Sequence, residues 1–295
     1  MEIILKKNNR QPFFSLILAT VDREKEVICY LESLSVQTFR DFELIVIDQN
    51  PTDFLVPHLE SFQQKTGIVV KRIISERGLS RARNIGLKKI QGEWVAFPDD
   101  DCLYPQNILQ KIKETIEEHP NIDGLSILVT DEQGNYSAGG YMGKRISKVT
   151  RSNVWKSGVS CSLFFKVNAP GNIFFDENFG VGTELGFGSG EETDLILRLL
   201  SIRNILYYPL IRVYHPVYNG PWKASRAWTY GCGFGGVLRK HQYNWFTPFY
   251  YAGFQVARCL QFLMTLKWKR SLYHLCMAAG RLYGYCTYPF RRSFH

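Results

Sequence analysis

Apolar positions along the first hundred residues follow two alternating patterns. Short apolar runs rich in β-branched residues, typical of buried strands, lie at 13–20, 42–48, 68–74 and 94–97. Between these runs, apolar residues recur at helical spacing over 23–37, 53–65 and 78–90. Strands that alternate with helices predict an α/β fold, in which a mostly parallel sheet carries helices on both faces.

The pattern changes twice further along the chain. In the middle we expect a loop or hairpin at 131–144, a strand at 158–167 and a helix at 191–201 whose first turn is acidic. Beyond "YYPLIRVYHP" the composition becomes aromatic and basic, and two more helices are predicted at 244–270 and 271–286. We therefore predict two domains, a sheet domain over 1–220 and a helical extension over 221–295.

Charge divides the chain unevenly. The formal net charge is +9, yet residues 195–295 contain 14 Lys and Arg and no Asp or Glu, whereas residues 1–194 hold 22 basic and 27 acidic residues. This asymmetry favours an anionic partner for the C-terminal third, either phospholipid or nucleic acid. Because the sequence has no RNP, KH or helix-turn-helix signature, we expect a membrane surface and no nucleic acid.

The segment 244–270 is apolar for roughly 20 residues and then turns basic. Because Pro248 and Arg258 interrupt it, the segment predicts an amphipathic helix that lies in the membrane plane, in preference to one that spans the membrane. The alternatives are a spanning helix at 245–266, and two helices that pack against the sheet domain and expose an ordinary basic face.

Cysteine usage and the N-terminus bear on the compartment. The seven cysteines are odd in number, lie far apart and include no CxxC pair, so neither a disulfide framework nor a zinc site is indicated. The N-terminal stretch "MEIILKKNNRQPFFS" has its charges after a very short apolar run and no small-residue cleavage site, unlike a secretory signal. We expect a cytoplasmic protein in a reducing environment.

Carboxylates follow two of the predicted strands. Asp48 ends one strand, and Asp99, Asp100 and Asp101 come directly after the run at 94–97. In open α/β sheets the ligand crevice lies outside the carboxyl ends of the strands. Three adjacent carboxylates need solvent, a proton or a cation, and oxygen ligands suit Mg²⁺ or Mn²⁺, which complete their shells with water and substrate phosphates. The triplet thus predicts a diphosphate substrate; a solvated Asp-rich turn is the alternative.

A glycine-rich run at 231–236, "GCGFGG", matches the pattern GxGxxG. A dinucleotide-binding loop also needs a preceding strand and an acidic residue about 20 positions later. Because no Asp or Glu follows residue 194, we do not interpret this run as a nucleotide loop.

Three stretches resemble one known family. They are "SLILATVDREKEVICYLESLSVQTFRDFELIVIDQN", "RGLSRARNIGLKKIQGEWVAFPDDDC" and "GSGEETDLILRL", in this order within residues 12–216. Together they are similar to family-2 glycosyltransferases of bacterial surface-polysaccharide type, which are inverting nucleotide-sugar enzymes of GT-A fold. The resemblance implies that fold, a Mn²⁺ or Mg²⁺ cofactor and an inverting displacement.

The resemblance also implies roles for the acidic triplet and for one histidine. The DxD motif of the family falls on Asp99 and Asp101. Asp101 is the expected direct metal ligand, Asp99 is expected at the metal and near the ribose or diphosphate, and Asp100 assists. His215, in "RVYHP", occupies a position where related enzymes supply a ligand to the metal or diphosphate; a structural histidine is the alternative.

Other positions are implied to bind the nucleotide. The strand-end acidic pair of the family falls on Asp48 and Gln49, where the amide can still hydrogen-bond a pyrimidine edge. The first strand ends at Ala19 and Thr20, which are expected to line the same site. Arg81 and Arg83 are candidates to neutralise diphosphate; packing and helix capping are the alternative.

The catalytic base of the family is the second acid of an acidic pair at a helix start, which here is Glu191 followed by Glu192. The resemblance therefore implies that Glu192 takes the proton of the acceptor hydroxyl, and that Asp194 caps or positions the helix. The alternative is that these acids only interact favourably with the dipole at the start of the helix and have no catalytic role.

The implied partners are a nucleotide-sugar donor, with a UDP-sugar favoured, and a glycan or lipid-linked acceptor at an anionic membrane surface. We expect peripheral attachment at the inner face of the plasma membrane. Two other functions stay open. One is a non-catalytic GT-A-like domain that binds nucleic acid or membrane through its basic C-terminal third. The other is nucleotidyl transfer, although that activity usually needs a glycine-rich loop after the first strand, which "ATVDREKE" lacks.

Overall fold

The computed structural model describes residues 11–137, 142–217 and 220–289. Most of the N-terminal stretch that we compared with a secretory signal lies outside the described residues, as do residues 138–141 of the predicted loop. The chain folds into two compact units. We call them the sheet unit (Met1–Arg77, Arg81–Phe174 and Leu195–Tyr218) and the helical unit (Gly78–Ser80, Phe175–Asp194 and Asn219–His295).

The strands of the described residues are β1 Phe14–Thr20, β2 Phe42–Asp48, β3 Val70–Ile74, β4 Trp94–Ala96, β5 Gly124–Thr130, β6 Ser147–Lys148, β7 Leu163–Lys166 and β8 Ile205–Tyr214. They form one sheet in the order β3-β2-β1-β4-β7-β5-β8-β6. β2 is parallel to β3 and to β1, β1 is parallel to β4, and β5 is parallel to β8. β7 runs antiparallel between β4 and β5, and β6 is antiparallel to β8. The predicted mostly parallel sheet is confirmed.

The helices of the described residues are α1 Glu24–Ser35, α2 Val56–Thr66, α3 Leu79–Leu87, α4 Ile108–Glu118, α5 Glu191–Leu199, α6 Ala224–Lys240, α7 Phe246–Met264 and α8 Trp268–Thr287. Local sequence sets several of their ends. For example, α2 has Pro57 in its first turn and ends at Gly67, whose φ of 72° suits a residue without a Cβ. We did not predict α4 or α6.

Apolar burial explains why β1 and β2 lie at the centre of the sheet unit. Leu16, Leu18, Leu44 and Val46 are fully buried in one core cluster together with apolar residues of α1, α2 and α4. On the opposite face of β1, a Cβ at Gly86 of α3 would lie 2.5 Å from a methyl carbon of Ile17. Helices therefore cover both faces of the central strands, as predicted.

One predicted strand is shorter than expected. Residues 158–167 were predicted as a strand, but only Leu163–Lys166 pair as one, and Ser160–Ser162 form a 3-10 turn. The Ser162 hydroxyl donates to the carbonyl of Val159 at 2.7 Å. Serine side chains that bond to nearby backbone compete with strand pairing in this way, which shortens the strand.

Glycines allow two helices of the helical unit to pack closely. The run at 231–236 lies inside α6, so it is not a strand-to-helix turn. A Cβ at Gly231 would lie 2.5 Å from the carbonyl oxygen of Met277, and one at Gly235 would overlap the carbonyl oxygen of Arg281. The backbones of α6 and α8 therefore touch directly. Among the described helices, none combines the length and the apolar content that crossing a membrane would take.

The α6–α8 contact generates a prediction for glycine substitutions. We expect Gly235→Ala to destabilise the protein by about 1–3 kcal/mol, because the added methyl group would force the two backbones apart. Gly253→Ala in α7 is the matched control, since no atom lies within 4 Å of its added Cβ. Alanine favours a helix over glycine by about 1 kcal/mol, so the control should keep or raise the unfolding midpoint. Thermal unfolding followed by circular dichroism measures both, and an equal rise for both variants would contradict the close contact.

Candidate active site

The carboxyl ends of three neighbouring strands bring the predicted acidic residues to one edge of the sheet. Thr20 at the end of β1 is the register partner of Asp48 at the end of β2. β4 pairs in parallel with β1, and the acidic triplet follows β4 after Phe97 and Pro98. The Thr20 hydroxyl donates a hydrogen bond of 2.8 Å to the Asp100 carboxylate, which joins the first strand end to the third.

Asp48 is fully buried and is held by two neighbours. Arg72 Nε on β3 donates to Asp48 Oδ2 at 2.7 Å, and Arg72 Nη2 lies 2.7 Å from the same oxygen. The Asn50 side chain donates to Asp48 Oδ1 at 2.6 Å, and its backbone N–H donates to the same oxygen at 3.0 Å. A buried carboxylate is tolerated only when it is paired and hydrogen-bonded, so these contacts explain its position. Gln49 lies between Asp48 and Asn50 in sequence. Its backbone N–H donates to the Thr20 carbonyl at 3.0 Å, which continues the hydrogen bonding between β1 and β2.

Asp99 is paired with a buried arginine. Arg83 on α3 is only 1% exposed, and its Nη2 lies 3.1 Å from Asp99 Oδ1. The Ser160 hydroxyl lies 3.0 and 3.1 Å from the two oxygens of the same carboxylate. This arrangement fixes the direction in which Asp99 points, because both partners belong to well-packed parts of the sheet unit.

Asp100 and Asp101 have different protonation behaviour. Burial raises the pKa of Asp100 to about 6, although the hydrogen bond from Thr20 and the charge of Arg23 oppose the change. Burial also acts to raise the pKa of Asp101, but the hydrogen bond and charge of His215 and the charge of Arg23 outweigh it, so that pKa is lowered. Asp101 is therefore the member of this pair that stays ionised at lower pH.

His215 lies against Asp101, with its Nε2 at 3.3 Å from Asp101 Oδ1. Its other ring nitrogen, Nδ1, lies 2.8 Å from the Pro216 carbonyl, to which a protonated Nδ1 donates. The backbone is held on both sides, since its N–H donates to the Thr130 carbonyl at 2.8 Å and its carbonyl accepts from the Ser137 hydroxyl at 2.7 Å. The structure thus presents Nε2 to the acidic triplet in one orientation.

The helical unit contains the acidic start of α5. Asp194 is fully buried, and its Oδ1 lies 2.7 Å from both Lys240 Nζ and His241 Nε2. Glu191 is 4% exposed, whereas Glu192 is half-buried. Of these three acids, Glu192 is therefore the most accessible to a reactant, and Asp194 anchors the helix end to α6.

Comparison with known proteins identifies the family. A family model described as "Glycosyl transferase family 2" matches residues 15–166. The chain belongs to glycosyl transferase family 2. An uncharacterized glycosyltransferase of Haemophilus influenzae is 34% identical over 111 residues, which are 37% of this chain and 36% of that protein. The poly(ribitol-phosphate) β-N-acetylglucosaminyltransferase TarS of Staphylococcus aureus is 32% identical over 109 residues, which are 36% of this chain and 19% of TarS.

Solved structures of two glycosyltransferases share the fold. The structure of S. aureus TarS 1-349 in complex with UDP-GlcNAc has a TM-score of 0.57 at 16% identity and covers 90% of each chain. The mannosyltransferase PcManGT of Pyrobaculum calidifontis, in complex with GDP-Man and Mn²⁺, has a TM-score of 0.61 at 15% identity and covers 93% of this chain and 88% of that one. The predicted GT-A fold is confirmed. The chain spans only 36% and 19% of the lengths of the Haemophilus and Staphylococcus relatives.

The family's metal requirement can be tested against the residues present. Among residues 11–137, 142–217 and 220–289, no three His, Cys, Asp or Glu side chains form a ready metal cage. Asp101 and His215 nevertheless place a carboxylate and an imidazole together, and the hydrogen bond at Nδ1 favours the tautomer whose Nε2 can bind a cation. Because Mg²⁺ commonly takes one or two protein ligands with water and substrate phosphates, this pair fits a cation that arrives with a diphosphate.

The other predicted site residues lie in different surroundings. Asp99 contacts the Arg83 guanidinium and the Ser160 hydroxyl, so the chain itself supplies its observed partners. Arg81 pairs with Glu76 at 2.9 Å and has a side chain 41% exposed. Ala19 is half-buried on β1, one residue before Thr20. The roles assigned to these positions stay predictions.

Sequence reasoning missed the partners of the acidic residues. They are Arg23, Asn50, Arg72 and Ser160. Asn50 could have been found, because an Asx residue two positions after a strand-end Asp commonly bonds within a turn. Arg72 and Ser160 carry no local signal, because strand order brings them to the site.

The Asp101–His215 contact predicts a pH dependence in the metal-free protein. Burial acts to lower the pKa of His215, but the hydrogen bond and charge of Asp101 raise it above the usual 6.5. The contact therefore stabilises the fold fully below about pH 6.5 and is lost as the pH rises through the raised pKa. NMR titration in chelator should give His215 a pKa above 6.5 in the wild type. In Asp101→Asn the pKa should fall, since burial then acts with less opposition; an unchanged value would contradict the pairing.

Proposed function

We propose that the chain is a glycosyltransferase that moves a sugar from a nucleoside-diphosphate donor, with a UDP-sugar favoured, to a hydroxyl of a glycan acceptor. One observation carries the proposal: Asp48, Asp99, Asp100 and Asp101 meet at the carboxyl edge of a family 2 sheet, and each has a partner that holds it. An edge of this kind suits a nucleotide whose diphosphate needs a cation.

A divalent cation, Mn²⁺ or Mg²⁺, belongs to this proposal. Asp101 and His215 would hold it, and it would neutralise the charge that develops on the leaving diphosphate. The chain's own groups prepare that site before the donor binds. Arg83 and Ser160 orient Asp99, the Thr20 hydroxyl orients Asp100, and the carbonyl of Pro216 holds the His215 ring.

The reaction itself needs a base for the acceptor hydroxyl. We assign Glu192, whose carboxylate would take the proton while the hydroxyl oxygen attacks the anomeric carbon from the face opposite the departing diphosphate. This single displacement inverts the anomeric configuration. The assignment is supported by the accessibility of Glu192 beside two buried acids, and by the ion pairs that anchor Asp194 nearby.

For the acceptor, we propose a lipid-linked glycan of a bacterial surface polysaccharide, reached from the cytoplasmic face of the plasma membrane. The name of TarS, a poly(ribitol-phosphate) glycosyltransferase, supports a cell-surface polymer as the class of acceptor. The donor base is best tested by thermal stabilisation of the protein with UDP-, GDP- and dTDP-sugars in Mn²⁺. We expect the largest shift with a UDP-sugar, and no shift with any of the three would contradict the proposal.

Cation dependence supplies one prediction. We expect Asp101→Ala to lower transfer or donor hydrolysis by at least about a hundredfold, because it removes a ligand from the group that stabilises the leaving diphosphate. Glu132→Ala, at an exposed acid in a turn of the sheet unit, is the matched control and should leave the rate unchanged. Activity should also vanish in excess chelator and return with Mn²⁺ or Mg²⁺. Full activity in chelator would disprove the cation's role.

The base assignment supplies another prediction. Glu192→Gln keeps the shape of the side chain and removes its basicity, so kcat should fall by about 10²–10⁴-fold. Donor affinity measured by calorimetry should stay the same, because the base acts on the acceptor. Glu184→Gln, an exposed acid of the same unit, is the control for kcat. Asp194→Asn should lower the unfolding midpoint, since Lys240 and His241 lose their charged partner. Normal turnover by Glu192→Gln would show that another group is the base.

A further inference from the structure

Helix α7 exposes its apolar side. Its exposed large apolar residues are Phe246, Phe249, Tyr250, Phe254, Val256, Leu260, Leu263 and Met264. Only Pro248 and Ala252 of this helix are buried. A surface helix of an ordinary globular protein turns its apolar stripe inward and its polar residues outward. In α7 the exposed half carries most of the large apolar side chains.

The packed side of α7 is, by contrast, joined to α8 by polar contacts. Gln255 Oε1 lies 2.7 Å from His274 Nδ1. The Ser271 hydroxyl donates to the Cys259 carbonyl at 3.0 Å, and Arg281 Nη1 donates to the Tyr251 carbonyl at 2.6 Å. These bonds occur at positions 251, 255 and 259, which are one helical turn apart and so define a single face. The packed side of α7 is therefore polar and its exposed side is apolar, which is the reverse of a helix that packs on an apolar core.

The apolar residues of α7 form a surface parallel to the helix axis. At about 100° per residue, the exposed apolar side chains from Phe246 to Met264 occupy about half of the circumference. They run over the full length of the helix. Such a face suits contact with a flat surface along its whole length, and the helix would then lie in the plane of that surface.

Helix α8 also exposes large apolar side chains. Trp268, Leu272, Leu275 and Tyr283 are each at least half exposed. Their spacing of four, three and eight residues places them on one stripe of the helix. We call the exposed apolar residues of α7 and α8 the apolar face of the helical unit. Contiguous apolar patches of more than a few hundred Å² are rare on monomeric soluble proteins and mark interaction surfaces.

Charge indicates which surface the apolar face meets. Residues 220–289 carry nine Lys and Arg and no Asp or Glu, and Arg258, Lys267 and Lys269 are exposed on α7 and at the start of α8. Trp245 and Trp268, 58% and 63% exposed, flank the two ends of α7. Aromatic residues at helix ends and basic residues beside an apolar face are features of helices that lie in the headgroup region of a bilayer.

We propose that the apolar face of the helical unit binds the surface of an anionic lipid bilayer, with α7 lying in the membrane plane. Its apolar side chains enter the boundary between headgroups and acyl chains, and the basic residues contact the anionic headgroups. The inference rests on α7 and α8 alone and does not depend on the chemistry proposed for the acidic site, so either can fail without the other.

The test measures binding of the full chain to vesicles by co-sedimentation. One set contains phosphatidylcholine with phosphatidylglycerol, and the other contains phosphatidylcholine alone. The wild type should bind the anionic vesicles more tightly, and added salt should weaken the binding. Phe249→Glu combined with Phe254→Glu should weaken it by at least about tenfold, because two aromatic side chains that would enter the bilayer become charged. Val36→Glu combined with Leu210→Glu, at exposed apolar positions of the sheet unit, should bind like the wild type.

A second measurement does not depend on how the variants fold. Tryptophan emission of the wild type should shift to shorter wavelength on anionic vesicles, and the shift should be smaller in Trp245→Phe. Sedimentation velocity without lipid distinguishes the other occupant of the face. If the wild type binds neither vesicle type, the proposal is overturned. If the wild type forms a dimer that vesicles do not dissociate, and the Phe249→Glu and Phe254→Glu double variant is monomeric, the proposal is overturned in favour of a protein contact.

Discussion

The structure depends on the compensation of negative charge at buried strand ends. Parallel strands bring their carboxyl ends to one edge, and here that edge carries four Asp residues. Their partners come from separate elements: Arg72 for Asp48, Arg83 and Ser160 for Asp99, Thr20 for Asp100, and His215 with Arg23 for Asp101. Buried charge without partners costs several kcal/mol, so the edge could not exist without these contacts.

The same compensation gives the acids unequal chemical properties. Asp48 and Asp99 are tied to arginines of the chain, which orients them before any ligand binds. Burial raises the pKa of Asp100 to about 6, whereas the contacts of Asp101 with His215 and Arg23 lower its pKa. Asp101 thus combines a charged carboxylate with an adjacent imidazole, and this pair is the part of the edge best suited to a cation. At the start of α5, Asp194 is likewise held by Lys240 and His241, which leaves Glu192 as the most accessible of the three acids there.

Local periodicity predicted each helix and strand from β1 to β4, although α4 was missed. β2 was predicted at its observed bounds, and the position of the acids at strand ends followed from the alternation of elements. Local patterns could not show that β7 inserts antiparallel between β4 and β5, which brings Ser160 to Asp99. They also missed α6, because its glycines have a role only when α8 packs against them. An amphipathic helix was predicted within 244–270, but its polar contacts with α8 were not, since composition does not reveal which side of a helix is packed.

We propose that Asp101 and His215 hold the cation that arrives with a nucleoside diphosphate. Electron spin-echo modulation of Mn²⁺ bound together with UDP tests it directly, because an imidazole ligand couples its nitrogen nucleus to the metal spin. The account predicts a nitrogen coupling in the wild type that disappears in His215→Gln, with UDP strengthening Mn²⁺ binding. A bound Mn²⁺–UDP complex without nitrogen coupling in the wild type, or with the same coupling in His215→Gln, would contradict it.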